Sequence, residues 1–211
     1  MNEPEQTVIT TNEIHGPILV LIRGLPGSGK TYLASTLQTM LGADKVVLLD
    51  PDTIDHTGKA YQEHSQALTA EGVAELFHPY RFLRAGAHSA IERGKIIIWN
   101  QPFTLPSGFE NTIQNLHNFA ADRGIRMPIL SVEIEVDPIL AKARIDTRKQ
   151  QGGHGPSEGR FTRFVDEYTS LPGSGQDRTI TVHGADDITV SAVTVLNTLR
   201  ELSRQHRPAG T

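Results

Sequence analysis

Eight residues near the amino end constrain the fold of this chain more than any other stretch. Residues 24–31 read GLPGSGKT and follow the apolar run 18–22. Glycine and proline weaken the interior of helices and strands, so this cluster indicates a loop between two regular elements. Its glycines allow backbone N–H groups to converge on phosphate oxygens at the N-terminus of the next helix, where anions are favoured. The segment therefore predicts a strand, a phosphate-binding loop and a helix, in that order.

The loop matches the pattern G-x-x-x-x-G-K-[ST] at every fixed position. In this pattern the lysine reaches the β- and γ-phosphates of a nucleotide, and the hydroxyl that follows it ligates Mg²⁺. Lys30 and Thr31 take these two roles here. The residues predicted to hold the nucleotide are Gly24, Leu25, Pro26, Gly27, Ser28, Gly29, Lys30 and Thr31.

Apolar runs and helical patterns alternate along the rest of the chain, which predicts a parallel sheet with helices on both faces. The expected architecture is α/β, the three-layer α/β/α arrangement of a P-loop NTPase, with a mostly parallel five-stranded sheet and a small lid. The expected strands are residues 18–22, 46–49, 96–99, 129–136 and 179–182, and the expected helices are 31–40, 79–93, 107–123, 138–150 and 188–203.

The 211 residues are enough for one such domain, which we place at 16–204 between flexible tails at 1–15 and 205–211. Two stretches do not fit simple connections between strands. Residues 51–78 are polar and weakly periodic, which indicates an insertion over the sheet. Residues 150–160 form a glycine-rich segment that we expect to be a mobile loop, at the centre of a lid over about 148–163.

Composition bounds the partners and the compartment. The net charge of −4 gives no general attraction to nucleic acid or to anionic lipid, so a nucleic-acid partner is possible through a local groove but is not favoured. The chain lacks cysteine, begins with an acidic polar stretch and has no apolar run of membrane-spanning length. We therefore expect a cytoplasmic protein with no membrane partner; the sequence identifies no protein partner.

Two aspartates follow the second expected strand, in the sequence LLDPDT. Ligands of a doubly wound sheet bind beyond the carboxyl ends of its strands, so a carboxylate here can face the phosphate-binding loop. Asp52 could accept the proton of an attacking hydroxyl as a general base. Asp50 could help to hold Mg²⁺, and a turn with solvated carboxylates around Pro51 is the alternative for both.

The third expected strand ends in Trp99, Asn100 and Gln101, where many P-loop proteins carry an acidic metal-binding residue. Asn100 or Gln101 could hold a water of the Mg²⁺ shell or an acceptor hydroxyl, or could only cap the strand. Trp99 could stack on a ring or could finish the core of the sheet.

These features together resemble the P-loop kinase group that contains the zeta-toxin kinases and the polynucleotide 5′-hydroxyl kinases. The resemblance rests on the loop at 24–31, the LLDPDT segment, the apolar third strand and an arginine-bearing helix before a glycine-rich segment. It implies ATP as the nucleotide, and the chain contains no N-K-x-D tetrad of the kind that reads guanine. It also implies that Asp52 acts as the base toward the acceptor. The missing acid after the third strand is a departure from the group.

Arg144 and Arg148 are spaced i, i+4, so they share one face of the fourth expected helix. Arginine forks fit phosphate oxygens and stabilise the charge that develops during phosphoryl transfer. The resemblance places both in the lid, beside Asp52 and Lys30 as candidate catalytic residues.

The favoured function is an ATP-dependent phosphotransferase, using Mg²⁺, that moves the γ-phosphate to a hydroxyl of a small-molecule or nucleotide-like acceptor. Two other functions remain open: a polynucleotide 5′-hydroxyl kinase, and an ATP-binding or ATPase switch protein without an acceptor.

Overall fold

The structure is a computed structural model and describes residues 13–169 and 176–206. Five parallel strands form one sheet in the order β2-β3-β1-β4-β5. They are β1 (Ile18–Gly24), β2 (Val46–Leu49), β3 (Ile96–Asn100), β4 (Ile129–Glu135) and β5 (Arg178–His183). The described helices are α1 (Lys30–Leu41), α2 (Lys59–Ala70), α3 (His78–Glu92), α4 (Pro106–Ala121), α5 (Pro138–Gln150), α6 (Glu158–Glu167) and α7 (Ile188–Gln205), with 3₁₀ turns at Pro51–Thr53 and Glu75–Phe77.

The helices cover both faces of the sheet, so the predicted three-layer α/β/α fold is confirmed. Strand side chains alternate between the two faces, and each face builds its own core. On one face Val20 and Ile22 pack with α1 and α7, whereas on the other Leu19 and Leu21 pack with α3 and α4. A third, small cluster joins α5 to α6 through Ile145 and Phe161.

The strand order decides where a ligand can bind. Strand β1 lies at the centre of the sheet, and the connection from β1 to β2 runs to one side of it, whereas the connection from β3 to β4 crosses to the other side. A crevice opens at such a reversal, beyond the carboxyl ends of the strands. The register pairs Ile22 with Asn100 and Leu49 with Trp99, so the residues that follow β1, β2 and β3 meet at this edge.

Two helices lie in stretches for which the sequence predicted none. Helix α2 lies within residues 51–78, and it buries only Tyr61 and Leu68, which explains the weak periodicity of the segment. Helix α6 begins at Glu158, inside the expected mobile loop over 150–160, because the Ser157 side chain caps it by accepting from the backbone N–H of Arg160. The loop in this region is therefore shorter than expected.

The expected amino-terminal tail is too long at its inner end. Ile14 is buried in the core beside α7, and the backbone N–H of His15 donates to Ser203 Oγ at 3.1 Å. The chain is therefore packed from Glu13 onward. The described residues do not include residues 1–12 of this tail. They also do not include residues 207–211 of the expected carboxyl-terminal tail. The limits of the domain and of the lid stay predictions.

Candidate active site

The phosphate-binding loop, residues 24–31, needs glycine because other elements approach its backbone closely. Gly27 has φ +84°, and a Cβ there would lie 2.3 Å from the carbonyl oxygen of Ala141 in α5. A Cβ on Gly24 would lie 2.8 Å from the carbonyl oxygen of Ile134. Side chains at these positions would push α5 and β4 away from the loop. Gly29, at φ +103°, turns the chain into α1.

Lys30 lies at the base of this loop and is 8% exposed. Its Nζ donates to the carbonyl oxygens of Gly24 and Leu25, both at 2.9 Å. Burial lowers the pKa of Lys30 to about 8, while the charges of Asp50 and Asp52 act in the opposite direction. These two hydrogen bonds hold the ammonium group of Lys30 against the backbone of the phosphate-binding loop.

Thr31, Asp50 and Asn100 form a hydrogen-bonded cluster beside the loop. Asn100 Nδ2 donates to Thr31 Oγ1 at 3.0 Å and to Asp50 Oδ2 at 2.5 Å. Asp50 is 4% exposed, and burial raises its pKa, against the hydrogen bonds from the Asp52 backbone and the Asn100 amide. Asn100 replaces the acid that many P-loop proteins carry here, and it links the carboxylate of the neighbouring strand to the threonine of the loop.

The donor set of this cluster fits Mg²⁺. A hydroxyl, a carboxylate and an amide are the oxygen ligands that this ion takes, together with phosphate and water oxygens. Within the described ranges, Asn100 Oδ1 is buried without a hydrogen-bond partner, and no group of three or more His, Cys, Asp or Glu side chains could hold an ion by itself. An ion here would therefore depend on oxygens of the nucleotide.

Asp52 lies two residues beyond Asp50 but in a different environment. The backbone N–H of Asp52 donates to Asp50 Oδ1 at 2.9 Å, so the turn considered from the sequence does form. The Asp52 side chain remains exposed, and it is close enough to Lys30 to raise the lysine pKa. The turn thus separates a buried carboxylate beside Thr31 from an exposed one at the mouth of the crevice.

Arg144 and Arg148 both approach the loop from α5. Arg144 Nη1 lies 3.5 Å from the carbonyl oxygen of Gly27, and the charge of Arg148 lowers the pKa of Lys30. The glycine-rich segment packs closely against Arg148. A Cβ added to Gly153 would lie only 2.6 Å from Arg148 Cγ. The shared face predicted for these arginines is therefore directed at the phosphate-binding loop. Their part in catalysis stays a prediction.

A cavity of about 340 Å³ adjoins the outer side of the loop. Its walls are largely apolar, and Arg144 is one of the charged side chains that line it. A flat aromatic ring system fits a cleft of this size and lining. The sequence did not indicate this cavity, because its walls come from distant segments: Ser28, Gly29, Tyr32, Leu33, Ile134, Arg144, Val182, His183, Gly184, Asp186, Ile188 and Ser191.

Trp99 is 2% exposed and belongs to the core, so it does not stack on a ligand. Its Nε1 donates to Gln101 Oε1 at 3.1 Å. This contact occupies the Gln101 side chain and leaves Asn100 as the polar residue of β3 that faces the loop. Of the two side chains considered at this position, Asn100 is the one that contacts Thr31 and Asp50, and its part in holding a metal or an acceptor stays a prediction.

A protein family with the description AAA domain matches residues 19–171, well over half of the chain. The chain belongs to the AAA domain family. The comparison with curated proteins found no match to this AAA domain.

Solved structures similar to this AAA domain include Kti12 and two proteins whose names describe kinases. Kti12 from Chaetomium thermophilum, solved with ADP-AlF3, has a TM-score of 0.58 at 16% identity over 87% of this chain and 97% of its own. A gluconokinase from Sinorhizobium meliloti has a TM-score of 0.56 at 14% identity over 90% and 95%. A provisionally assigned kinase from Chloroflexus aurantiacus has a TM-score of 0.59 at 20% identity over 89% and 98%. At these identities the similarity shows the fold: a P-loop NTPase domain whose structural neighbours include kinases.

Across residues 13–169 and 176–206, no helix of this AAA domain combines the length and the apolar character that a membrane span requires.

Proposed function

We propose that this protein is an ATP-dependent phosphotransferase that uses Mg²⁺ and moves the γ-phosphate to a hydroxyl of a small-molecule or nucleotide-like acceptor. One observation carries the proposal: the turn at Pro51–Thr53 places an exposed carboxylate, Asp52, next to the buried Lys30 and Asp50 and to the loop residue Thr31. A protein that only binds a nucleotide does not need a second carboxylate at the mouth of the crevice. A transferase needs one to receive the proton of the acceptor.

The phosphates would lie in the loop at 24–31, with Lys30 Nζ leaving its two carbonyl partners to contact the β- and γ-phosphates. Mg²⁺, held through Thr31, Asp50 and Asn100, would neutralise charge on the phosphate oxygens. Arg148 would add positive charge from the lid side. The base would enter the cavity beside Ser28 and Gly29, which Arg144 also lines.

The transfer step needs a base and exclusion of water. Asp52 would take the proton of the acceptor hydroxyl, the hydroxyl oxygen would form a bond to the γ-phosphorus, and the bond to the β-phosphate oxygen would break, releasing ADP. Closure of the lid over about 148–163 would exclude water, which otherwise competes with the acceptor. The gluconokinase among the structural neighbours supports a small hydroxylated acceptor.

The test is transfer of label from γ-labelled ATP with Mg²⁺ to a metabolite extract and, separately, to a 5′-hydroxyl oligonucleotide. We expect a labelled small molecule from the parent protein. Asp52→Asn should keep its affinity for ATP and lose transfer by about 10²–10⁴-fold, the usual contribution of a positioned base. Glu63→Gln, which removes an exposed carboxylate from α2, is the matched control and should transfer label normally.

Three results would contradict parts of this proposal. Label on the oligonucleotide alone would make the protein a polynucleotide 5′-hydroxyl kinase. ATP binding without transfer to either pool would favour a switch protein. Unchanged transfer by Asp52→Asn would remove Asp52 from the base role.

A further inference from the structure

A buried arginine stands immediately before the phosphate-binding loop. Arg23 is the next-to-last residue of β1, and it is 0% exposed among the side chains of the α4 face. Charged side chains are rarely buried to this degree unless they are paired. The contacts of Arg23 therefore require an explanation beyond packing.

The Arg23 guanidinium joins three separate parts of the chain. Nη1 donates to Glu133 Oε1 on β4 at 3.2 Å. Nη2 donates to the carbonyl oxygen of Phe103 at 3.2 Å and to that of Thr169 at 2.7 Å. The Tyr168 ring covers the guanidinium, with its centroid 4.2 Å from Cζ. Burial raises the pKa of Tyr168, so this ring remains uncharged.

The first of the two carbonyl partners belongs to the loop between β3 and α4, residues 101–105. This loop continues from Asn100, so it starts at the cluster proposed to hold Mg²⁺. Phe103 has φ +46°, a conformation that costs free energy for a residue with a side chain. The Arg23 hydrogen bond and burial of the Phe103 ring against Phe109 hold this conformation.

The second carbonyl partner follows the lid helix. Helix α6 ends at Glu167, and Tyr168 and Thr169 are the two residues that lead away from it. The other end of the lid connects to α5, which carries Arg144 and Arg148. A lid that closes over ATP must turn about the segments that flank it, and Arg23 holds the segment that follows α6.

We propose that Arg23 is a positioning residue that links lid closure to the geometry of the loop at residues 101–105, which starts at the cluster proposed to hold Mg²⁺. This inference rests on the proposed function, because that function assigns closure over the nucleotide to the lid. Arg23 does not touch the nucleotide or the acceptor. It fixes the end of the lid, the loop after β3 and the start of the phosphate-binding loop against one planar group.

An ion pair alone does not account for this arrangement. Replacing a buried ion pair by apolar side chains of similar volume is often neutral or stabilising, so stability alone does not require Arg23. What an apolar side chain cannot supply is the two bonds from a single nitrogen to the carbonyl oxygens of Phe103 and Thr169. These two hydrogen bonds connect the segment after α6 to the loop at residues 101–105, as the proposed link requires.

The test compares a double variant, Arg23→Met with Glu133→Gln, with Glu133→Gln alone. The double variant removes both charges, so neither is left buried without its partner. The single variant keeps the carbonyl bonds of Arg23. AMP-PNP with Mg²⁺ is the probe: calorimetry measures its affinity, and hydrogen exchange measures protection of the peptides over 101–105 and 158–169.

In the parent protein and in Glu133→Gln, we expect AMP-PNP to slow exchange in both peptides by about tenfold or more. The double variant should bind AMP-PNP with similar affinity and keep protection in 158–166, but lose the added protection in 101–105. Equal protection of 101–105 in the double variant would overturn the inference. So would a parent protein in which AMP-PNP protects the lid and leaves 101–105 unchanged, a result that does not depend on any variant folding.

The proposed function is tested separately, by label transfer from ATP in the parent protein, so its failure is distinguishable from a loss of the added protection of 101–105. Arg23→Lys adds a readout that packing alone would not change. Lysine keeps the positive charge beside Glu133 but cannot bond two carbonyls from a planar fork. Arg23→Lys should lose the added protection of 101–105 although the charge beside Glu133 remains, and protection equal to that of the parent protein would contradict the proposed role.

Discussion

Two regions face each other across the carboxyl edge of the sheet, and they are held in different ways. The phosphate-binding loop is held through its backbone atoms. Gly27 lies against α5, and the carbonyl oxygens of Gly24 and Leu25 accept hydrogen bonds from Lys30 Nζ. The segment at residues 53–77 depends on a few side-chain contacts, with Tyr61 edge-on to Phe82 at 5.3 Å and His78 hydrogen-bonded to Ser65. Substitutions should therefore disturb the loop through its backbone contacts and this segment through single side chains.

The largest effect should come from the charge at the centre of the loop. Lys30→Met removes the only side-chain cation of residues 24–31, and we expect transfer to fall by about 10²–10³-fold or more, with weaker ATP binding. Label transfer and calorimetry with ATP measure the two effects. Lys59→Met is the control, because Lys59 forms only an exposed pair with Glu63. Normal turnover in Lys30→Met would mean that the loop does not hold the reacting phosphates.

The next effect tests whether the backbone alone fixes the loop. Gly27→Ala requires φ +84° and a Cβ 2.3 Å from a carbonyl oxygen of α5, so we expect a loss of about 2 kcal/mol or more in the free energy of unfolding, and failure to bind ATP. Gly108→Ala is the matched control. It lies in α4 with nothing within 4 Å of the added Cβ, and it should stabilise the protein by up to about 1 kcal/mol. Denaturant unfolding compares the two, and changes of the same sign would contradict the assignment.

A smaller effect tests the other region. His78 is 1% exposed; its Nε2 donates to the carbonyl oxygen of Val73, so Nδ1 accepts from Ser65 Oγ at 2.8 Å. Ser65→Ala leaves that nitrogen unpaired and should cost about 1–2 kcal/mol. ATP affinity should not change, because the contact lies outside the phosphate-binding loop. Ser89→Ala, at an exposed position of α3, should be nearly neutral, and an equal loss in both variants would show that the His78 contact is not special.

The same contrast explains which parts of the fold could be predicted from the sequence. The five strands and the loop at 24–31 were predictable, because runs of β-branched and apolar residues and a glycine-rich phosphate motif are local patterns. Helix α2 was not, because a helix that buries only Tyr61 and Leu68 leaves little periodic signal. The start of α6 was obscured by the glycines before it, although Ser157 is a recognisable cap.

The site was predictable only where one element carries it. Lys30 and Thr31 follow from the motif, and Asp50 and Asp52 follow from the end of a strand. The role of Asn100 depends on two strands lying side by side, and that of Arg23 depends on Phe103 and Thr169, which are 80 and 146 residues away in the chain. Spacing in one sequence contains no signal for such pairs.

The smallest effect we predict is a proton taken up when the nucleotide binds. Burial lowers the pKa of Lys30 to about 8 in the free protein, and a triphosphate beside Nζ would raise it again. At pH 8 about half a proton per site should therefore be taken up on ATP binding, and affinity should fall as the pH rises further. Calorimetry in two buffers of different ionisation enthalpy measures the uptake, and Lys30→Met should abolish the part due to this lysine.

The lowered pKa of Lys30 also determines whether the free energy of unfolding of the nucleotide-free protein rises or falls with pH. The unfolded chain, with Lys30 at its ordinary pKa of 10.5, binds more protons than the folded chain between about pH 8 and 10.5. The contribution of Lys30 to the free energy of unfolding therefore rises across that window and is constant below it. Lys30→Met should flatten this rise relative to the parent protein. Two results together would contradict this account: the same pH dependence of the free energy of unfolding in both proteins, and equal ATP-binding enthalpies in the two buffers. They would show that the Lys30 amine is exposed to water rather than buried in the loop.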